Sequence, residues 1–148
     1  MQKDIRKIRV LFLCTANSCC SQMAEDWAKH LKGDVLEAYS AGVRPQKVSQ
    51  RAIQVMREAG VDISEQRSEH VDDYTNVDFD YVVTVCDNAK EQCPVFPKNV
   101  HTVHKKFDDP AAVIGTEEQV MAEFRRVRDE IRSFVEELPG PLEKNKNE

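Results

Sequence analysis

The chain has 148 residues, 41% hydrophobic and 32% charged, with a formal net charge of −5 at pH 7. That length closes around one core, so a single domain is expected over residues 1–141, followed by a disordered tail at 142–148 where almost every residue is charged or Asn. An acidic balance without a basic block argues against nucleic acid or an anionic membrane surface as partner, no apolar run nears the ~20 residues of a membrane span, and the charged first nine residues do not read as a secretory signal.

Residues 8–13 (IRVLFL) are a nearly unbroken apolar run, the pattern of a strand buried on both faces of a parallel sheet. A short segment, CTANSCCSQ at 14–22, separates it from Met23, Ala24, Trp27, Ala28 and Leu31, which recur at helical spacing. Ser21 is the predicted N-cap of that helix and Gly33 its stop. Residues 35–39 predict a second strand, with Ser40-Ala41-Gly42 turning out of it. Ser49 caps a second helix that buries Ala52, Ile53, Met56 and Ala59 and ends at Gly60.

Residues 61–78 read as irregular. DYVVTV at 80–85, rich in β-branched residues, predicts a third strand. A Pro-bounded loop carrying Cys86 and Cys93 follows, then a short fourth strand at 100–103 and a turn at Asp108-Asp109-Pro110. Thr116 and Gln119 form a capping box, with Glu117 and Glu118 suiting the helix dipole. Val120, Phe124, Val127, Ile131, Phe134 and Leu138 then alternate by threes and fours until Pro139-Gly140-Pro141.

Strands alternating with helices predict an α/β fold, a four-stranded parallel sheet flanked by helices. Ligands of such sheets sit beyond the carboxyl ends of the strands. Cys14 follows the first strand, Cys86 the third and Asp108-Asp109 the fourth, so all three converge on one edge. A loop between strand and helix at 14–21 aims backbone N–H groups and a helix N-terminus at one spot, which makes an anion pocket. Cys14 at its mouth is expected to ionise below the usual thiol range and act as a nucleophile, the alternative being a small buried core thiol.

There are five cysteines, Cys14, Cys19, Cys20, Cys86 and Cys93. An odd number argues for reduced thiols in the cytoplasm rather than a disulfide framework. Cys19 and Cys20 are adjacent, and Cys86 and Cys93 stand seven apart; neither fits common zinc spacing. His70, His101 and His104 read as solvated or structural.

Cys-Thr-x-Asn-Ser-Cys-x-Ser-Gln-Met-Ala-Glu at 14–25 resembles the phosphate-loop signature of the low-molecular-weight tyrosine phosphatase fold. More narrowly it is similar to thioredoxin-coupled arsenate reductases of that fold. Ser40-Ala41-Gly42, Thr84-Val85-Cys86-Asp87, Cys93-Pro94 and Phe107-Asp108-Asp109-Pro110 support the narrower match, in the family's order, as does FRRVRDEI at 124–131.

The resemblance implies a mechanism. An oxyanion sits in the loop Thr15, Ala16, Asn17, Ser18, Cys19, Cys20 and Ser21. Cys14 attacks arsenic while Asp109 gives a proton to the departing oxygen. Cys86 then attacks Cys14, arsenite leaves, and Cys93 attacks Cys86. The resulting Cys86–Cys93 disulfide is reduced by thioredoxin. Inert loop cysteines are the alternative reading of Cys86 and Cys93, and a phosphatase has no use for them. No tightly bound cofactor is implied, but Asn17, Glu25, Ser40 and Glu69 resemble a monovalent-cation (potassium) site of some members, where Asp is commoner at position 69. A monomer is expected.

Two departures stand out. The family signature is Cys-x5-Arg, yet position 20 is Cys20, and no basic residue lies between Arg9 and Lys29. Losing such an oxyanion contact costs about 2.7–4 kcal/mol. Either Arg44 or Arg67 reaches in, or the backbone alone holds the anion with reduced affinity, or the substrate is not a tetrahedral dianion. Cys20 itself packs in the loop or bridges Cys14. Ala16 replaces a common glycine, which strains the loop only if φ is positive there. Three functions stay open: arsenate reductase, phosphatase, or a protein that binds an oxyanion or arsenite, or senses redox state, without turnover.

Overall fold

The computed structural model describes residues 6–94, 96, 97 and 99–146. Its centre is β1 (Ile8–Cys14), flanked by β2 (Leu36–Gly42) on one side and β3 (Tyr81–Thr84) on the other, with β4 (His101–His104) beyond β3. All pairings are parallel. The apolar run explains this central place: Val10, Leu11, Phe12 and Leu13 are all fully buried. Because successive side chains alternate between faces, β1 serves two cores. Val10 and Phe12 join the larger one, under α1 (Cys20–Lys32), α2 (Gln50–Glu58) and α4 (Glu117–Glu136). Leu11 and Leu13 join Ala41, Val71, Phe79, Val82 and Ala89 on the other face, where Cys86 and Cys93 also pack.

The chain winds outward from β1 to β2, then returns across β1 to β3. This reversal opens a crevice at the carboxyl ends of β1 and β3. The segments carrying Cys14 and Cys86 both emerge there.

Several elements differ in extent from the sequence reading. The first helix begins at Cys20, and its N-cap is Cys19, with no side-chain cap. Ser21 lies inside the helix because its hydroxyl is needed elsewhere, accepting from Asn17 Nδ2 at 2.9 Å. Ser40-Ala41-Gly42 does not turn out of the sheet but continues the ladder, opposite Phe12, Leu13 and Cys14. The loop after β3 contains a short helix, α3 (Asp87–Glu91).

Along α4, Val120, Phe124, Val127 and Ile131 face inward as the periodicity predicts. Val135, one turn beyond Ile131, takes the innermost place, and Phe134 instead meets Phe107 edge to face at 5.9 Å. The tail expected to be disordered from residue 142 forms α5 (Gly140–Lys146), because Leu142 is fully buried and anchors it beside Leu138. Residues 147 and 148 lie outside the described residues. No described helix is long and apolar enough to cross a membrane.

Candidate active site

Loop 15–19 is held by Asn17. It is the one non-glycine residue with positive φ (51°) among the described residues, a region Asn tolerates better than most. Its fully buried side chain accepts from the Glu69 amide at 2.8 Å as well as donating to Ser21. Its carbonyl accepts from Gln22 Nε2 at 2.9 Å and Ser68 Oγ at 2.8 Å. Ala16 is not among the positive-φ residues, so replacing glycine there strains nothing.

The carbonyls of Cys14, Thr15, Ala16 and Ser18 accept from the amides of Val43, Arg44, Gln46 and Ser49 at 2.8–3.2 Å. In a trans peptide the following N–H points the opposite way, so the loop's amides turn inward. Two of them reach sulfur: the Asn17 amide bonds to Cys14, and the Thr15 amide to Cys86. Gly42 makes this closeness of β2 feasible. A Cβ there would stand 2.7 Å from the Thr15 carbonyl and 2.9 Å from the Asn17 nitrogen.

Inside the loop is a cavity of about 270 Å³, lined by Cys14, Thr15, Ala16, Ser18, Cys19, Cys20, Val85, Cys86, Phe107 and Asp109. The Cys14 and Cys86 thiols hydrogen-bond each other, which favours the thiolate at Cys86 over Cys14. The bond from Cys14 draws Cys86 down to about 5 against its burial, helped by the Thr15 hydroxyl at 3.2 Å and the amides of Ala89 and Thr15. The same bond, then burial, pushes Cys14 well above the usual thiol range. The expectation of a lowered Cys14 is therefore reversed, because Cys14 is the deeper sulfur and donates its S–H.

Cys93 does not line the cavity. It is half-buried in the same apolar cluster as Cys86, and burial pushes its thiol up. All five cysteines are free. Cys19 and Cys20 are buried and hydrogen-bonded to each other, which, with burial, pushes Cys20 up. Cys20 also donates to the Asp108 carbonyl at 3.7 Å. It packs in the loop and is not bridged to Cys14.

Asp109 lines the cavity and caps the 3-10 turn Pro110–Ala112, accepting from the Ala111 amide at 2.9 Å. Its neighbour Asp108 pairs with Arg126 at 2.9 Å. Neither Arg44 nor Arg67 lines the cavity. Both are exposed, and Arg67 borders a separate hollow outside the loop with Lys47. The reading in which one of them replaces the missing arginine is thus corrected: their segments are used to support the loop from outside.

Below the loop, Ser40 and Lys29 both bond to Glu25, and the Glu69 amide bonds to the Asn17 side-chain oxygen. Burial and then the charges of Glu69 and Glu25 push the Tyr74 hydroxyl up to about 12. Among the described residues, no three His, Cys, Asp or Glu side chains are arranged to hold a metal ion.

One arrangement escaped the sequence reading. Thr84 and His104 are register partners across β3 and β4, and the Thr84 hydroxyl meets His104 Nδ1 at 2.8 Å. The other ring nitrogen meets Asp87 at 3.0 Å, and Lys106 meets Asp87 at 3.1 Å. This chain fastens the first residue of α3, next to Cys86. No spacing links residues 87 and 104; only the adjacency of the two strands does. His70 caps the 3-10 turn Val71–Tyr74, and His101 packs on Tyr81.

A 2-1-3-4 parallel sheet with two thiols lining an amide-rich loop after its central strand defines an α/β protein of the phosphate-loop type. The arsenate reductase of Halalkalibacterium halodurans is 50% identical over 122 residues, 82% of this chain and 88% of the relative. That of Bacillus subtilis is 47% identical over 129 residues, 87% and 93% respectively. Among solved structures, an arsenate reductase in the phosphate binding state superposes with a TM-score of 0.70 at 33% identity, covering 88% of this chain and 95% of that one. A Corynebacterium glutamicum thioredoxin-dependent arsenate reductase shares the fold, with a TM-score of 0.62 at 24% identity over 87% of this chain and 62% of that one. The chain belongs to the low molecular weight phosphotyrosine protein phosphatase family, matched over residues 9–148, and within it to the branch whose curated members are named arsenate reductase.

Proposed function

We propose that the protein reduces arsenate to arsenite, with Cys14 as nucleophile and Cys86 and Cys93 passing the oxidising equivalents to thioredoxin. The observation that carries this reading is the Cys14–Cys86 hydrogen bond inside the loop cavity. Hydrolysis of a phosphate ester needs one such thiol, whereas reduction needs a second within reach of the first.

The charge distribution sets the order of steps. Cys86 takes the S–H proton of Cys14, which frees the Cys14 thiolate to attack arsenic. Asp109, on the cavity wall, gives a proton to the departing oxygen, which leaves as water. Cys86 loses its proton and attacks the Cys14 sulfur. The S–As bond breaks with its electron pair going to arsenic, so arsenite leaves as a Cys14–Cys86 disulfide forms. Cys93 then attacks Cys86, restoring Cys14, and the thioredoxin dithiol reduces the Cys86–Cys93 bond. Because Cys93 lies outside the cavity, the α3 segment shifts during this exchange.

The oxyanion is held by inward-facing amides without a guanidinium, so affinity for a dianion is reduced. In this reading the protein works as a monomer in the cytoplasm, where its five free thiols stay reduced. Asn17, Glu25, Ser40 and Glu69, the residues of the potassium site that the resemblance implies, are linked below the loop, Ser40 to Glu25 and the Glu69 amide to the Asn17 oxygen, with Lys29 also on Glu25. No step is assigned to potassium.

The test is arsenate-dependent oxidation of reduced thioredoxin. Turnover that Cys86→Ser abolishes supports the relay. Hydrolysis of an aryl phosphate that survives Cys86→Ser, without arsenate turnover, makes the protein a phosphatase instead.

A further inference from the structure

Gln22, on the first turn of α1, is a fully buried side chain with both of its protons committed. Its Nε2 donates to the Asn17 carbonyl at 2.9 Å and to the Arg67 carbonyl at 3.0 Å. Its Oε1 accepts from Gln66 Nε2 at 2.6 Å, and that same nitrogen reaches the Gln22 carbonyl at 3.3 Å. These partners fix which end of the amide points where, since a reversed amide would turn its oxygen on two carbonyls.

The bond to Asn17 acts on one peptide of the oxyanion loop. It draws the Asn17 carbonyl outward, so the N–H of the same trans peptide, that of Ser18, turns toward the cavity that Ser18 lines. Ser68 also reaches the Asn17 carbonyl, but its single hydroxyl proton is divided between that carbonyl and the carbonyl of Gln46. Gln22 is therefore the donor dedicated to this peptide, which follows a residue in the sparsely populated positive-φ region. The Ser18 amide matters more here than beside a guanidinium. No residue lining the cavity is basic, so the inward amides carry the anion's hydrogen bonds by themselves.

We propose, resting on the arsenate-reducing reading, that Gln22 is a positioning residue for oxyanion binding: oriented by Gln66, it locks the Asn17–Ser18 peptide with the Ser18 N–H facing the anion. Gln22 touches no substrate atom and moves no proton. The Cys14 and Cys86 sulfurs take their amide bonds from Asn17, Thr15 and Ala89, whose N–H groups belong to other peptides. Gln22 thus governs how well the anion is held and leaves the acidity of the thiols to other groups. The segment 66–68 becomes a working part of the loop, Gln66 acting through Gln22 and Ser68 acting beside it.

The experiment compares the reduced full-length protein with Gln22→Met, which keeps the length and removes the donors, and with Gln66→Met, a milder change at a half-buried position. Inorganic phosphate is titrated and followed by amide NMR, and arsenate turnover is measured with reduced thioredoxin. In the parent the Ser18 amide resonance is expected to move as phosphate binds. In Gln22→Met that movement is lost, phosphate affinity falls about tenfold and KM for arsenate rises by a similar factor, because one directed hydrogen bond to the anion is at stake. The kcat changes much less, as expected when binding common to ground and transition states is removed. Gln66→Met moves affinity and KM the same way by about threefold. The pH midpoint of Cys86 alkylation keeps its parent value in both variants.

Parent-like phosphate affinity in both variants overturns the proposal, and with parent arsenate turnover intact it leaves the reductase reading standing. A Cys86 midpoint that moves together with phosphate affinity means that the whole loop loosens, and also overturns it. So does a parent whose Ser18 amide ignores phosphate. Weakened phosphate binding in the variants of a parent that turns over no arsenate upholds the role of Gln22 while removing the reductase reading.

Discussion

The Thr15 hydroxyl lies 3.2 Å from the sulfur of Cys86, so the loop after β1 directly stabilises a thiol that follows β3. The contact joins residues 71 apart in sequence. It makes the acidity of the resolving cysteine a property of the oxyanion loop. Thr15→Val keeps the shape and removes the hydroxyl. A hydrogen bond to a charged group is worth about 1.5–3 kcal/mol, which corresponds to roughly one to two pH units. The pH at which Cys86 becomes half-reactive toward iodoacetamide should therefore rise by about one unit in this half-buried setting. An unchanged midpoint would show that the hydroxyl donates elsewhere.

The two relay thiols should separate sharply by pH. Cys86 is drawn down to about 5, first by the bond from Cys14, so its thiolate is present throughout the neutral range and disappears as pH falls through that value. Burial moves Cys93 the other way, so at neutral pH it stays a thiol. Thiolates react and thiols do not. At pH 7, brief alkylation should label Cys86 well ahead of Cys93, and the Cys86 rate should fall off below about pH 5, the value set by its hydrogen bonds. Equal labelling of both cysteines at pH 7 contradicts the charge placement.

Position 20 is open to direct repair. Cys20 is 7% exposed and begins α1 at the cavity edge, where the family signature carries arginine. Cys20→Arg should raise kcat/KM for arsenate by at least about tenfold, given that one oxyanion donor is commonly worth ~10²–10³ in rate. Part of that gain is offset because the new side chain must displace the Cys20 bond to the Asp108 carbonyl. No gain in the variant means that the loop amides already hold the anion as well as they can be helped to.

Much of this site could be read from residue order. Val10 to Leu13 run without a polar break up to Cys14, which suits a central strand, and the reversal of winding then brings Cys86 beside it. What stayed hidden depends on three-dimensional neighbours. Which of two thiols carries the charge is decided by burial depth and by the direction of one S–H, neither of which has a sequence signature. The helix over 140–146 was hidden because a single apolar residue, Leu142, decides it in a charged stretch. The exclusion of Arg44 and Arg67 likewise follows from which side of the loop their segments brace.

Gly42 offers a test of how tightly β2 sets the loop. A methyl group there would stand within 3.0 Å of three backbone atoms of residues 15–17, none of which can rotate aside. Overpacking of this kind costs about 1–3 kcal/mol. Gly42→Ala should lower the denaturation midpoint by that amount. It should also lower arsenate turnover, because residues 15–17 carry the amides that face the sulfurs. Destabilisation with full activity would mean that the loop shifts as a unit and keeps its geometry.

The fastening of α3 makes a last prediction. Asp87 receives both His104 at 3.0 Å and Lys106 at 3.1 Å, and Thr84 at 2.8 Å orients the ring from behind. Lys106 and then His104 hold the Asp87 carboxyl below its ordinary value. A depressed carboxylate contributes stability that is present above its unfolded pKa and is lost as pH falls through the folded one. The segment from 86 to 93 should therefore open more readily as pH drops below about 4, the ordinary range for Asp. Asp87→Ala should already show at pH 7 the faster amide hydrogen exchange that the parent reaches only in acid, and further acidification should add little. In a relay that needs this segment to move, the same variant should speed Cys86–Cys93 disulfide formation after a single arsenate turnover. Unaltered exchange in Asp87→Ala would place the restraint on α3 in its apolar contacts, through Ala89 and the cluster around Leu11 and Leu13, rather than in this chain of polar groups.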